Sequence, residues 1–281
     1  MELHEVKSLR SFAAKIRIAA LDAIHSIGTG HLGGAMSICE VLSVLYGREM
    51  KYKVEEPKWP QRDKLVCSKG HAGPAVYGTL ALKGFFPYEE LKTLNASDTR
   101  LPSHCDKNKT PGVDMTTGSL GQGTSLACGM ALADKLQGHD SRTFLIVGDG
   151  ELDEGQCWEA AMFTAGKKIT NLTWIVDDNK RQLDGYTVDI LPLFDLRVKF
   201  EAFGFEAVRV KGNDVEALYD ALTKVPGEKP IAIIMDNVKG SGVKGIEETP
   251  ANHSMTLPAE TWDTYIEAVK ADLAAIEKEV G

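Results

Sequence analysis

TFLIVGDGELDEG (residues 143–155) and LTWIVDDN (residues 172–179) are the two stretches that predict the fold. Each stretch begins as a short apolar and β-branched run and ends in glycine, acidic or amide residues. Such runs are typical of strands buried on both faces and leading into loops. A helical pattern at 157–167 separates them. Strand, helix and strand in this order predict two parallel strands joined by a crossover helix.

The same alternation extends in both directions along the chain. Further strands are predicted at 63–67, 207–210 and 231–235, and further helices at 6–27, 37–46, 72–82, 122–136, 196–203 and 215–224. This order predicts a three-layer α/β/α fold with a mostly parallel sheet. We expect residues 1–281 to form a single domain with an irregular segment at 238–258 and a C-terminal amphipathic helix at 259–279.

Composition and charge argue against several classes of protein. The 281 residues are 43% hydrophobic and 26% charged, as in ordinary globular proteins. The formal net charge of -8, without a basic patch, argues against nucleic acid as a partner. No apolar run reaches the roughly 18 residues needed to span a bilayer, and the charged N-terminus is unlike a secretory signal. The five cysteines form no CxxC pair, which indicates reduced packing residues in a cytoplasmic protein.

Polar residues stand where the two quoted strands end. Asp149 lies between Gly148 and Gly150, and Asn179 follows the next strand along the chain. Because ligands of open α/β sheets bind beyond the carboxyl ends of the strands, these side chains are expected at one site. Each motif alone is also common turn chemistry. Together, their hard oxygen atoms predict a Mg²⁺ site that binds a diphosphate.

Gly148-Asp149-Gly150 followed by Asn179 resembles the signature of thiamine diphosphate enzymes, in the strand, helix and strand context that the signature requires. Three further segments are similar, in order and spacing, to the N-terminal domain of transketolases: GTGHLGG at 28–34, SKGHAG at 68–73 and TTGSLGQG at 116–123. The resemblance runs from the first helix to about His253. It implies the thiamine diphosphate-binding fold, with thiamine diphosphate and Mg²⁺ as cofactors.

The resemblance also implies roles for individual residues. Mg²⁺ would be bound by Asp149, Asn179 and the backbone oxygen of Arg181. The cofactor would be contacted by His71, Gly118, Leu120, Gly150 and Asn179, while Glu154 would join an acidic network that links cofactors across a dimer interface. His31 and His253 would transfer protons near the C3 hydroxyl of the substrate, and His104 would hold the C1 hydroxyl of the donor. His4, His25 and His139 match no motif and are interpreted as structural.

The sequence departs from the family pattern at Ser119, which replaces the usual proline, in the segment before His253, and at residues 180–182. Lys180-Arg181-Gln182 stands where small or apolar residues are usual. Only the backbone oxygen of Arg181 is needed for the metal, so the predicted site survives this change. Whether the two cationic side chains touch substrate is open at this point.

Transketolases are normally more than twice as long as this chain, and their later domains bind the aminopyrimidine ring of the cofactor. The resemblance therefore implies the N-terminal subunit of a split transketolase that is active only with a C-terminal partner subunit. It would transfer a two-carbon ketol unit from a ketose, with a phosphate or similar acidic tail, to an aldose. An α2β2 heterotetramer is expected, although a homodimer that recruits its partners later is an alternative.

Other functions fit the same motifs. A 1-deoxyxylulose-phosphate synthase-like enzyme or a 2-oxoacid dehydrogenase E1 α subunit would share Gly-Asp-Gly and Asn179, but would act on pyruvate. A non-catalytic regulatory subunit would keep the fold for binding alone. Gly28-x-Gly30-x-x-Gly33 fits the dinucleotide fingerprint formally, but it follows a helix and not a strand, so no nicotinamide or flavin site is expected.

Overall fold

The computed structural model describes residues 1–279. The last two residues of the domain predicted at 1–281 lie outside the described residues. The strands are β1 (Thr29–His31), β2 (Lys64–Cys67), β3 (Thr143–Gly148), β4 (Leu172–Asp178), β5 (Glu206–Lys211), β6 (Ile231–Asp236) and β7 (Ser254–Thr256). The helices are α1 (Leu3–His25), α2 (Gly33–Met36), α3 (Cys39–Val44), α4 (Gly73–Leu82), α5 (Gln122–Gln137), α6 (Gly155–Gly166), α7 (Thr187–Ile190), α8 (Leu196–Ala202), α9 (Val215–Leu222), α10 (Lys244–Glu247) and α11 (Ala259–Lys278).

The main sheet contains the five predicted strands, all parallel, in the order β2-β3-β4-β6-β5. Alternate residues of one strand enter opposite cores. In β3, Phe144 and Ile146 belong to one hydrophobic cluster, and Leu145 and Val147 belong to the other. The first cluster includes residues of α1, α3, α4, α9 and α11, and the second includes residues of α5, α6 and α8. The predicted three-layer α/β/α fold is therefore confirmed.

The structure differs from the prediction in several places, among them the short helix α7, which was not predicted. The helix predicted at 37–46 is shorter, since α3 covers only Cys39–Val44 and is followed by a π-helical turn at Leu45–Glu49, while α2 lies before the predicted range. The segment predicted as irregular, 238–258, contains α10 and also β7, which pairs antiparallel with β1 so that His31 lies opposite Ser254. Neither three-residue strand is long enough to show a periodic pattern. Their pairing also depends on contacts between distant parts of the chain.

Two expectations about the whole chain can be compared with this fold. All five cysteines are buried and free, which agrees with their predicted role as packing residues. Among residues 1–279, no helix combines the length and the apolar character that crossing a lipid bilayer requires.

Gly123 shows how closely α5 packs against the turn that follows β2. A Cβ atom at this position would lie 2.7 Å from the Cα atom of Ser68, so backbone would have to move. Because overpacking of this kind costs about 1–3 kcal/mol, we expect Gly123→Ala to lower the free energy of unfolding by about 2 kcal/mol in urea denaturation. Gly129→Ala is the matched control, since this exposed position of α5 has nothing within 4 Å. It should be neutral or mildly stabilising, and equal losses in both variants would contradict the packing argument.

Candidate active site

A cavity of about 240 Å³ lies at the carboxyl ends of β3 and β4. Ten of the eleven residues predicted for the site line it: His31, His71, His104, Gly118, Leu120, Asp149, Gly150, Asn179, Arg181 and His253. The eleventh, Glu154, is exposed immediately before α6 and does not line the cavity. Strand ends, loops and the β1–β7 pair thus bring together residues that are far apart in sequence.

Asp149 is a buried carboxylate at the end of β3. Its Oδ1 atom accepts a hydrogen bond from the backbone nitrogen of Gly150 at 2.8 Å, and its Oδ2 atom accepts one from the backbone nitrogen of Lys180 at 2.6 Å. Burial, reinforced by the nearby Asp177 carboxylate, raises the pKa of Asp149 to about 7. The arrangement therefore favours a cation beside this side chain, since a bound positive charge would stabilise the ionised form.

The orientation of Asn179 is set by Asp177. Asn179 Nδ2 donates to Asp177 Oδ2 at 2.7 Å, so the amide oxygen points away from that carboxylate and accepts from the backbone nitrogen of Arg181 at 3.2 Å. Because a carboxylate only accepts hydrogen bonds, the opposite amide orientation would put two oxygen atoms together. Asp177 also accepts from Ser37 Oγ at 2.7 Å and from Asn237 Nδ2 at 3.0 Å. This buried network holds the tip of β4 in place.

Asp178, the next residue, does not belong to the cavity. Its side chain pairs instead with Arg209 at 2.6 Å and with Lys180 at 2.5 Å. Successive side chains of a strand point to opposite faces, so Asp177 and Asp178 have different partners, and neither lines the cavity.

The donor atoms near Asp149 fit a Mg²⁺ ion that is shared with a bound anion. Residues 1–279 contain no group of three or more His, Cys, Asp or Glu side chains that could hold a metal ion by themselves. The predicted set instead comprises the Asp149 carboxylate, the Asn179 amide oxygen and the Arg181 carbonyl oxygen. Mg²⁺ is commonly held in this way, by one or two carboxylates with substrate phosphates completing the shell.

Two lysines that the sequence reasoning missed give the cavity its basic side. Lys69 is buried and donates to Asp177 Oδ2 at 2.6 Å, while Lys239 Nζ donates to the backbone oxygen of Arg181 at 3.2 Å. Burial, reinforced by Lys69, lowers the pKa of Lys239 to about 8. Lys69 could have been found because it precedes His71 in SKGHAG, whereas Lys239 lies in a segment without a recognisable pattern. The positive charges of these two lysines suit a bound anion, and the Asp149 carboxylate suits a divalent cation bound to that anion.

Four imidazoles meet in the cavity, and we call His31, His71, His104 and His253 the histidine cluster. The ring centroid of His31 lies 5.4 Å from that of His71, 5.5 Å from that of His104 and 5.3 Å from that of His253. Burial lowers the pKa of all four, and for His253, also close to Lys239, it falls to about 3. At neutral pH the cluster is therefore uncharged, and each ring has one donor and one acceptor nitrogen.

The cations at 180 and 181 are bound by groups of the chain itself. Lys180 pairs with Asp178 and with Asp236, the latter at 3.0 Å. The Arg181 guanidinium donates to the backbone oxygen of Thr249 at 2.9 Å and to Tyr186 Oη at 2.8 Å. These contacts account for two side chains that depart from the family pattern.

Acid should destabilise the fold through the histidine cluster. Below the ordinary histidine pKa of about 6.5, these histidines bind protons in the unfolded chain but stay neutral in the folded chain. Protonation therefore stabilises the unfolded state, and the free energy of unfolding should fall between about pH 7 and about pH 5. Urea unfolding at these two values should show a smaller loss for His253→Asn than for the wild type. His4→Asn, at an exposed position outside the cluster, should lose as much as the wild type. An unchanged pH dependence in His253→Asn would contradict this account.

Comparison with known proteins gives the chain its family. The family described as transketolase, thiamine diphosphate binding domain, matches residues 8–274. The 6-deoxy-6-sulfo-D-fructose transketolase subunit SqwG of Clostridium sp. (strain MSTE9) is 48% identical over 273 residues, which are 96% of this chain and 97% of the relative. An apulose-4-phosphate transketolase subunit of Actinobacillus succinogenes is 39% identical over 259 residues, covering 92% of this chain and 94% of the relative.

Longer transketolases match over nearly the whole chain. Transketolase of Homo sapiens is 35% identical over 279 residues, covering 98% of this chain but 44% of the human protein. The structure of transketolase from Leishmania mexicana superimposes with a TM-score of 0.84 at 28% identity, over 96% of this chain and 46% of that one. The chain thus spans just under half of these proteins, whereas it matches the relatives named as subunits nearly from end to end. This chain belongs to the transketolase family and forms its N-terminal, thiamine diphosphate-binding domain.

Proposed function

We propose that the chain is the diphosphate-binding subunit of a two-chain transketolase. With a companion C-terminal subunit, it would transfer a two-carbon ketol unit from a ketose to an aldose, using thiamine diphosphate and Mg²⁺. The observation that carries this proposal is the convergence of the oxygen donors of Asp149, Asn179 and Arg181 with the histidine cluster around one cavity. The first group suits a metal-bound diphosphate, and the second suits a sugar with several hydroxyl groups.

The residues at the strand tips would hold the cofactor. Asp149, Asn179 and the Arg181 carbonyl bind Mg²⁺ in this proposal, while His71 and the Gly150 backbone nitrogen contact the diphosphate. Thiamine diphosphate, when bound, supplies the electron sink for cleavage of the carbon–carbon bond. Backbone groups of Gly118 and Leu120 also face the cofactor. Both residues line the cavity, and glycine suits position 118 because a Cβ there would lie 3.2 Å from His104 Cδ2 and its φ is 153°.

The neutral imidazoles would act on the hydroxyl groups of the substrate. His31 and His253 take and return a proton at the C3 hydroxyl, and His104 holds the C1 hydroxyl of the donor. The lowered pKa values leave both rings uncharged at neutral pH, so each has a nitrogen that can accept a hydrogen bond from a substrate hydroxyl group. The 5.3 Å separation of the His31 and His253 ring centroids is short enough for both rings to reach one reacting carbon in this proposal.

The relatives suggest the class of sugar and the assembly. Their names refer to a sulfonated ketose and to a ketose phosphate, which supports a donor with an acidic tail. Because those relatives are named as subunits, we further propose two copies of this chain and two of the companion in an α2β2 complex. The exposed Glu154 is free to reach a neighbouring chain there. The five free cysteines support a cytoplasmic location.

Reconstitution tests the proposed function. The chain would be co-purified with the C-terminal transketolase chain of its own organism and supplied with thiamine diphosphate, Mg²⁺, an aldose acceptor and either 6-deoxy-6-sulfo-D-fructose or apulose 4-phosphate. Ketol transfer is expected only when both chains are present. Turnover of pyruvate instead of sugars would support a synthase-like or E1 α-like enzyme. Cofactor binding without turnover of any donor would support a regulatory subunit, and turnover by this chain alone would refute the two-chain arrangement.

A further inference from the structure

Glu151 is a buried carboxylate that lines the cavity and has no role in the proposed function. It lies two residues after Asp149, in the 3₁₀ turn at Gly150–Asp153, and only 2% of its surface is exposed. Burying a carboxylate is costly unless hydrogen-bond donors surround it. The presence of a further acidic side chain in a cavity that suits an anion therefore needs a physical explanation.

Three segments of the chain donate hydrogen bonds to this one carboxylate. Its Oε1 atom accepts from Ser68 Oγ and from the backbone nitrogen of Gly121, the latter at 2.9 Å. Its Oε2 atom accepts from the backbone nitrogen of Gly148 at 3.1 Å. Ser68 follows β2, Gly121 precedes α5 and Gly148 ends β3. Ser68 and Gly121 are 83 and 30 residues away from Glu151, so a single side chain joins distant parts of the chain.

The segments that meet at Glu151 also carry residues of the proposed cofactor site. The turn after β2 contains His71, the residues before α5 include Leu120, and the end of β3 leads into Asp149. A shift of one segment relative to the others would separate groups that contact the same diphosphate. Because a site binds more tightly when its groups are held in the bound arrangement beforehand, a side chain that joins these segments should raise cofactor affinity.

Direct contact with the cofactor does not explain Glu151. A carboxylate beside a diphosphate would repel it, and both oxygen atoms of Glu151 already accept hydrogen bonds from the chain itself. Because a carboxylate only accepts hydrogen bonds, it satisfies all three donors at once. A glutamine at this position would turn its own N–H groups towards the N–H of either Gly121 or Gly148. The choice of a carboxylate thus fits a role in joining the segments.

The turn that carries Glu151 is itself fixed to the start of α6. The backbone oxygen of Glu151 accepts from the backbone nitrogen of Glu154 at 3.1 Å and from Cys157 Sγ at 3.2 Å. Trp158 Nε1 donates to the backbone oxygen of Leu152 at 2.8 Å. The carboxylate therefore extends from a well-anchored part of the domain, and the two distant segments are held against that part.

We infer that Glu151 is a positioning residue, whose carboxylate holds the turn after β2, the start of α5 and the end of β3 in the arrangement that binds a metal diphosphate. The inference rests on the proposed function, because it takes the diphosphate ligand from there. It adds a residue that raises cofactor affinity without touching the cofactor, and Ser68 as the side chain through which the turn after β2 is held.

Cofactor binding to the two-chain complex measures this role. Thiamine diphosphate would be titrated with Mg²⁺ present, by isothermal titration calorimetry, into wild type, Glu151→Ala, Glu151→Gln and Ser68→Ala. Since loss of an outer partner of a metal site costs about 10- to 100-fold in affinity, Glu151→Ala should bind about 100-fold more weakly. The conservative Glu151→Gln and Ser68→Ala each keep some of the hydrogen bonds and should lose less. At saturating cofactor, kcat and the KM for the donor sugar should stay close to wild type.

Asp63→Asn is the matched control. Asp63 is 1% exposed and likewise accepts backbone hydrogen bonds from two distant segments, from Lys51 at 3.0 Å and from Arg142 at 2.8 Å. It lies just before β2, at the opposite end of the sheet, and does not line the cavity. Asp63→Asn should lower the Tm of the complex and leave cofactor affinity unchanged. An equal loss of affinity in Asp63→Asn would indicate general destabilisation and overturn the positioning role.

A double variant and hydrogen exchange complete the test. If Ser68 acts through Glu151, Ser68→Ala/Glu151→Ala should bind the cofactor no more weakly than Glu151→Ala. In the cofactor-free complex, the amides of Gly121 and Gly148 should exchange faster in Glu151→Ala than in the wild type. Wild-type affinity in Glu151→Ala, unchanged exchange, or additive losses in the double variant would overturn the inference and leave the proposed function intact. A wild-type complex that binds no thiamine diphosphate would overturn the proposed function itself, and the inference with it.

Discussion

Replacing Asp149 by alanine is expected to abolish saturable binding of thiamine diphosphate to the complex with the companion chain, even in excess Mg²⁺. Asp149 is the one carboxylate of the proposed metal site, and its partners there are a neutral amide and a backbone carbonyl. Without it, none of the proposed protein ligands of the divalent ion carries a negative charge. Loss of even an outer partner of a metal site costs 10- to 100-fold in affinity, so loss of this ligand should weaken binding by more than about 100-fold.

Isothermal titration calorimetry with and without Mg²⁺ measures this effect. Asp149→Asn is the more conservative variant, since it keeps the shape of the side chain but removes its charge, and it should also lose Mg²⁺-dependent binding. Asp178→Asn is the matched control, because this neighbouring buried acid pairs with Arg209 and does not line the cavity. It should bind the cofactor normally. Normal affinity in Asp149→Ala would refute the metal assignment.

Lys69→Met should produce the largest loss of stability. The Lys69 ammonium and the Asp177 carboxylate are both buried and lie 2.6 Å apart. Breaking such a pair leaves an uncompensated charge in the interior and costs about 3–5 kcal/mol. The free energy of unfolding, measured by urea denaturation, should fall by about this amount.

Two comparisons make the Lys69 prediction specific. The double variant Lys69→Met/Asp177→Asn, which leaves no unpaired charge, should recover much of the lost stability. Lys168→Met breaks an exposed pair with Glu228 and should cost less than about 1 kcal/mol. If Lys69→Met lowered the free energy of unfolding no more than Lys168→Met does, the buried ion pair would not stabilise the fold around the site.

Local sequence patterns predicted much of this fold for a physical reason. β3 and β4 are buried on both faces, so their residues form short continuous apolar runs that end at the cavity. Asp149 and Asn179 could be found because they directly follow such runs. The histidine cluster was anticipated only from resemblance, since an isolated histidine in a loop has no pattern of its own.

The remaining features depend on contacts between distant segments. Antiparallel pairing of β1 with β7 places His31 beside His253, and neither three-residue strand has a periodic pattern. Lys239 enters the cavity from a segment that sequence reasoning described only as irregular. The opposite orientations of Asp177 and Asp178 follow from strand geometry, but which face of the sheet each side chain takes depends on the packing partners Lys69 and Arg209.

A crystal structure of the two-chain complex with thiamine diphosphate and Mn²⁺, recorded for anomalous scattering, would locate the divalent ion. We expect a single anomalous peak close to the diphosphate and within direct ligand distance, about 2.1 Å for a magnesium-type site, of Asp149 Oδ, Asn179 Oδ1 and the Arg181 carbonyl oxygen. A diphosphate bound elsewhere, or a peak that touches neither the Asp149 nor the Asn179 side chain, would contradict the account.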